Sequence, residues 1–517
     1  GGGVFINDGT PVLSNLIFDN NNASNRGGGL YNTGASNPTL TNVTFRNNNA
    51  ANGGGIFNTG SSNPTLTNAT FTSNNASSQG GAIYNESSSN PTLNTATFTN
   101  NTATGYGGAI VNASSSPTLN NVTFTNNRTT AGGGAGGALY NGSSSNPTLN
   151  QVSFQQNSSA NGGAIYNTSS SPILTDVTFG SNSATNGGAI SNNSSYTAGG
   201  TNFHLTRVTF TNNSASFQGG AIFNASSNPR MTNITFTGNT TTDPANGGTG
   251  SDQGGAIYNT SSNPTINSTT FSQNSANSDG GAIYNYYSSP TLTDITFTNN
   301  SSVNGSGGAV YNTYSSTATL TNANFNLNSA NNGFGGAIYN TLLPGYTGTG
   351  SVINLTQNSF QQNSASSGGA IYNSSSSSNL TNVSFSQNAA SGSGGAIYST
   401  SSSSTQTNVT FSRNNATSSG GAIWINGSGA NTLVNTSFYG NASGSGSAIL
   451  SGGTTPTLRN SIIWGHGGTA ISGSATITNS IVQGGYTGTG NVTVDPLTTP
   501  ATAIFVDPNF DDLRLKS

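Results

Sequence analysis

A Gly-Gly pair followed by a small residue and then an aliphatic one returns at a fixed interval along almost the whole chain, and this constrains the fold more than any other feature. The aliphatic position runs from Val4, Leu30, Ile56 and Ile83 through to Ile397 and Ile423, with degenerate copies at Ile449 and Ile471, at a usual spacing of 26 to 27 residues. A second mark, F-x-x-N, falls once in each interval: Phe45 with Asn48, Phe71 with Asn74, Phe98 with Asn101, Phe124 with Asn127, Phe297 with Asn300 and Phe411 with Asn414 are examples. Sixteen of the 24 Phe occupy this one slot. Between the two marks lies a third, typically N-P-T-L-T-N, as at Asn37 to Asn42 and Asn63 to Asn68.

Within one interval Leu66, Ala69 and Phe71 are set against Thr65, Thr67, Thr70 and Thr72, the two-residue alternation of a strand. No 3.6-residue period occurs, and Gly, Ser, Asn and Thr are poor helix formers. Three short strands per interval are therefore predicted, broken at Gly-Gly, at the Ser-rich run before Asn-Pro, and at the Asn pair after Phe. Propeller blades need about 40 residues and four strands. A unit of this length instead suits one rung of a parallel β-helix, and the fold class expected is all-β, a right-handed parallel β-helix of about 18 rungs. Stacked at about 4.8 Å, those rungs would make a rod of roughly 86 Å.

Stacking explains a composition that otherwise reads as disorder. Only 31% of residues are hydrophobic and 4% charged, yet there are 24 Phe and 18 Tyr. In a coil each position lies over its own equivalent, so Ile stacks on Ile and Phe on Phe, while the inward Asn of F-x-x-N bonds to the Asn above and below in a ladder. With nine basic and twelve acidic residues there is no nucleic-acid footprint. There is no apolar run long enough for a membrane span, and no Cys for a disulfide framework or thiolate chemistry.

The pairing of G-G-A-I with F-x-x-N resembles the repeats of the chlamydial polymorphic outer-membrane proteins and, more broadly, exported right-handed β-helix proteins of the pectin-lyase-like superfamily. The resemblance covers about Gly1 to Val482. It implies the coil and an exported setting, and it leaves function open, because the same coil carries adhesins, lyases and stalks.

Residues 1–460 read as regular repeats and 461–517 as degenerate final rungs followed by a polar C-terminal cap, Asp507 to Ser517, over the open sheet edge. Gly1 follows no charged-then-apolar leader, which reads as a product from which any export signal has gone. Four rungs are stretched, at Arg128 to Gly136, Asn193 to Leu205, Thr240 to Gly254 and Thr341 to Leu355, as tolerated surface turns or as binding loops.

Catalysis by a β-helix lyase or hydrolase requires carboxylates gathered at one groove, with a base or calcium. Asp176 and Asp294 share a slot, but four rungs, roughly 19 Å, separate them. Asp243, Asp252 and Asp279 form the one internal grouping, read as solvated turn residues. His204 and His466 are read as ordinary surface or turn residues. No metal site or cofactor is assigned; Asp507, Asn509 and Asp511 match only the start of a calcium loop, with Asp512 where Gly is required. The outward face is Thr and Asn, with N-x-S/T sequons at Asn42, Asn68, Asn121, Asn233, Asn382 and Asn408 as possible glycosylation sites. Tyr84, Tyr166, Tyr284 and Tyr372 would offer rings to glycans or to another copy. The expected function is a non-catalytic, extracellular adhesive or structural solenoid, a cell-surface fibre subunit assembling end to end. The alternatives are a carbohydrate-active enzyme, with Arg207 or Arg230 drawn to an acidic groove, and a passenger fragment of an autotransporter adhesin.

Overall fold

The computed structural model describes residues 2–194, 203–242, 252–342 and 350–492, with the backbone strands Phe505–Asp507 and Asp512–Leu515. It divides into two units, Gly1–Gly247 with Gly254–Thr269, and Gly248–Gln253 with Thr270–Ser517. Each unit is a parallel β-helix. Its turn is laid down by the alternation of inward apolar and outward polar side chains, which only a coil with its own equivalent above and below can bury.

In the first unit the turn beginning at Ile83 shows the plan. Strand Ile83–Glu86 follows Gly80-Gly81. The chain then passes through Thr92–Thr99 and the two-residue Thr102–Ala103, and returns at Ile110–Ala113. Register is conserved by residue type: Ile83 pairs with Ile110, Asn85 with Asn112, Leu93 with Leu119, Phe98 with Phe124 and Ala76 with Ala103. The second unit repeats it, with Ile371 against Ile397, Val383 against Val409 and Phe385 against Phe411. Eighteen described strands carry the aliphatic mark, ten in the first unit and eight in the second, and delimit about 17 turns. Among the described residues there is no helix, and so none long and apolar enough to cross a membrane.

The glycine pair is required by geometry. Gly107 has φ of 58°, and a Cβ on Gly108 would stand 2.1 Å from the carbonyl oxygen of Gly137 in the next turn. A second corner was not expected. The T-L-T-N-V-T-F run bends at one left-handed residue: φ is 53° at Asn42, 54° at Asn68, 54° at Thr95, 53° at Asn121 and 54° at Arg207. In some turns this divides the run into two strands, Thr39–Thr41 and Thr44–Arg46, and in others leaves it continuous, as at Thr65–Thr72. Asn recurs at this corner because its short amide tolerates the left-handed region better than other side chains.

The interior is a column of stacked rings. In the first unit Phe71 and Phe98 lie 4.6 Å apart and 1° from parallel; in the second, Phe385 and Phe411 lie 5.0 Å apart and 5° from parallel. All four rings are fully buried, each contributing roughly 1.5–3 kcal/mol of burial. The repeat continues past residue 460, where Leu458 pairs with Ile477 and Ile463 with Val482. The charged C-terminal segment differs from its expected place as an end cap. Its Phe505–Asp507 and Asp512–Leu515 strands pair antiparallel, and Asp512–Leu515 lies on the flank of the coil, against strands Ser403–Ser412 and Ser437–Tyr439.

Candidate functional site

The F-x-x-N asparagines form a continuous buried ladder within each unit. Asn101 shows the bonding: its Nδ2 donates to Asn127 Oδ1 at 2.9 Å and to the Phe71 carbonyl at 3.0 Å. Its Oδ1 accepts from both the backbone N–H and the Nδ2 of Asn74, each at 3.0 Å. The same set recurs at Asn48, Asn74 and Asn127, and in the second unit at Asn300 and Asn414. A second buried ladder, absent from the sequence expectations, runs two residues after the aliphatic mark: Asn32, Asn58, Asn85, Asn112 and Asn141 pass amide bonds of 2.7–2.9 Å from turn to turn.

His466 departs from its expected surface place. Ile463 pairs with Phe438, so I-x-x-H stands where F-x-x-N would, and His466 takes the slot after Asn441 without continuing the amide ladder. Its ring is buried, with Nδ1 3.2 Å from the Asn441 carbonyl. Burial lowers its pKa to about 4, opposed by the bond to Asn441. The neutral ring is thus favoured in the fold, so its contribution is present above about pH 6.5 and lost as pH falls through about 4. We expect the turns around Ile462–Val482 to lose about 3 kcal/mol over that window, and His466→Asn to remove the slope, as read by hydrogen exchange of those amides against pH.

The bend residues form an exposed polar column. The six asparagines named above among more than two dozen N-x-S/T sequons, Asn42, Asn68, Asn121, Asn233, Asn382 and Asn408, occupy it. Several bond along the axis, Asn68 Nδ2 to Asn42 Oδ1 at 2.8 Å and Asn408 Nδ2 to Asn382 Oδ1 at 3.0 Å. Arg207 and Asp176 meet in the same column as a bidentate pair at 2.6 and 2.9 Å, which holds the Asp176 carboxyl below its ordinary range. Arg207 is thereby committed to a solvent-exposed ion pair, while Arg230 stands beside His204 in strand register.

In the second unit this column lines a groove of about 720 Å³. One wall is Gln357, Asn382, Asn408, Asn435 and Asn460; the other is Ser359, Ser384, Thr410, Ser437 and Ile462, with Asn358 and Val383 between. Five successive turns contribute, so amides and hydroxyls repeat along it at the strand spacing of about 4.8 Å. Chemically it offers repeated donors and acceptors along its length, suited to an extended polar chain.

The aromatic column beside the first ladder differs from the open rings expected for glycan stacking. Tyr84 lies 5.1 Å from Phe57, Tyr166 5.6 Å from Tyr140, Tyr284 4.8 Å from Tyr311, and Tyr372 4.5 Å from Tyr398, all stacked. Neighbouring turns thus occupy the ring faces, and Tyr284 is buried outright.

Of the acidic grouping, Asp243 lies outside the described residues. Asp252 accepts from Asn277 Nδ2 at 2.7 Å, and Asp279 accepts from the Ser306 backbone N–H at 2.8 Å. Burial pushes the Asp279 pKa up to about 6. Asn509 and Asp511 lie outside the described residues, and Asp507 is in the C-terminal hairpin. Among the described residues no three His, Cys, Asp or Glu come together as a metal site.

The family described as a right handed beta helix region matches residues 1–157. The Chlamydia polymorphic membrane protein repeat matches eight segments, 151–168, 207–225, 233–260, 268–286, 294–313, 359–374, 382–400 and 408–426. The chain is a right-handed parallel β-helix built of repeats similar to these. The segment 382–400 shows why they match: it runs from the bend residue Asn382 through Phe385 and the ladder Asn388 to the glycine pair and Ile397. No curated protein matches the chain.

Proposed function

We propose that the chain is a non-catalytic adhesive solenoid displayed outside the cell, and that the groove from Gln357 to Ile462 recognises an extended glycan. The observation that carries the reading is the periodic lining of amides and hydroxyls over five turns. Successive sugars of an extended polysaccharide can meet the same donor set at each step. The similarity to a membrane-protein repeat of Chlamydia supports the surface setting. Glycosylation at Asn382 or Asn408 would place a covalent sugar in this groove, so modification there and ligand capture exclude one another.

The test is a glycan array probed with the chain and with Ser384→Tyr, which fills the groove from an exposed position. Binding to a polysaccharide, weakened at least tenfold in the variant with an unchanged circular dichroism spectrum, is expected. An array without binding, or equal binding by both proteins, overturns the reading.

A further inference from the structure

The outward positions that flank the F-x-x-N phenylalanine are open to solvent or half-buried through most of the coil. The residue before it is exposed at Thr97, Thr178, Thr235 and Ser384, and half-buried at Ser359 and Thr410. At Ser437 the same position is buried, to 6% exposure. The residue after it is half-buried at Thr72, Thr99, Thr298 and Ser386, yet Ser412 is buried to 3%. Polar side chains on the outer face of a strand lose solvent only when something lies on them. The backbone of Asp512–Leu515 lies against the strands that carry Ser412 and Ser437, Ser403–Ser412 and Ser437–Tyr439.

We propose that the far half of the groove is a receptor for the chain's own C-terminal strand, Asp512–Leu515, held there within one molecule. This rests on the groove being a binding site. Three features agree on this occupant. The strand is extended and already paired with Phe505–Asp507, so its backbone is partly satisfied. Its sequence, D-L-R-L, alternates leucine with charge at the two-residue period of a strand. The groove turns apolar toward the same end, where Ile462 replaces Ser and Thr and is packed by Tyr439, Trp464 and Ile481. An extended ligand entering from Gln357 therefore has the near half free and must displace the strand to take the rest. The C-terminal segment acts as a tethered competitor that sets the threshold for binding.

The chain has no native cysteine, so an introduced pair reports its own proximity without background. Ser437→Cys with Leu513→Cys, oxidised in dilute solution, is expected to give a cross-linked monomer in most molecules. Thr296→Cys with Leu513→Cys, the same slot in an earlier turn of that unit, is expected to give none. Absence of the cross-link, equal cross-linking by both pairs, or cross-linked dimers in its place would overturn the proposal, the last by assigning the strand to a second copy. This result is independent of any glycan. On the array, Leu513→Asp with Leu515→Asp is then expected to raise binding several-fold; unchanged binding, with the cross-link formed, removes the competitor role.

Discussion

Replacing Asn101 by aspartate is expected to destabilise the first unit by about 4 kcal/mol or more, although the change is one atom. Asn101 is fully buried and uses both ends of its amide. A carboxylate still accepts from Asn74 but has nothing to donate, so it would face the Phe71 carbonyl and Asn127 Oδ1 as a buried anion against two acceptors. Protonation would relieve the charge and restore one donor of the two. Neither form closes the ladder. Because each turn of a solenoid rests on its neighbours, the loss falls on the local interface and divides the coil instead of unfolding it in one step. Hydrogen exchange should show amides of the turns around Asn74 to Asn127 opening by orders of magnitude faster, with distant turns much less affected. Asn121→Asp, on the exposed bend column in the next turn, serves as the control and should change stability by no more than about 0.5 kcal/mol. Equal effects at the two positions would mean that the amide ladder does not hold the coil.

That contrast marks what could be read from the sequence. The period and the inward Phe identified the stacking and the first ladder, because F-x-x-N holds its spacing in regular and stretched rungs alike. The second ladder was equally periodic. Ile83 inward and Tyr84 outward require Asn85 to point inward, but an asparagine at the end of a strand resembles a turn former. The bend was present as a slip of phase: Leu66 to Ala69 is three residues, whereas Ala69 to Phe71 is two, and Asn68 is the residue passed over. His466 was hidden because Ile463 had replaced the Phe that marks the slot. The groove was not legible at all. It depends on the angle at the bend and on Ser and Thr of successive turns facing one side, and its C-terminal cover joins segments about a hundred residues apart.

The turns around Asp279 should become less stable as the solution is made less acidic, in the opposite sense to those around His466. The Asp279 side chain is half-buried, and desolvation raises its pKa from 3.8 to about 6, against hydrogen bonds from the Ser306 N–H and the Ser278 side chain. The groups placed to feel its charge are Tyr311 and Tyr339, whose pKa values are themselves raised mainly by burial and further by Asp279. Among the described residues no Lys, Arg or His is paired with it, so ionisation puts an uncompensated charge into the turn. For an acid whose pKa is higher folded than unfolded, the stabilising contribution is complete below about pH 3.8 and is lost as pH rises through about 6. The shift of about two pH units corresponds to about 3 kcal/mol, felt fully at pH 7. Asp279→Asn keeps an oxygen to accept from Ser306 and cannot ionise. The variant should therefore be more stable than the parent by about 3 kcal/mol at pH 7.5, and the difference should nearly vanish at pH 4. Hydrogen exchange of the strands Ile283–Tyr286 and Val310–Thr313 at the two pH values, corrected for intrinsic rates, measures both. A variant less stable than the parent at pH 7.5 would show instead that the hydrogen bonds from the Ser306 amide and the Ser278 side chain outweigh the desolvation of the carboxylate.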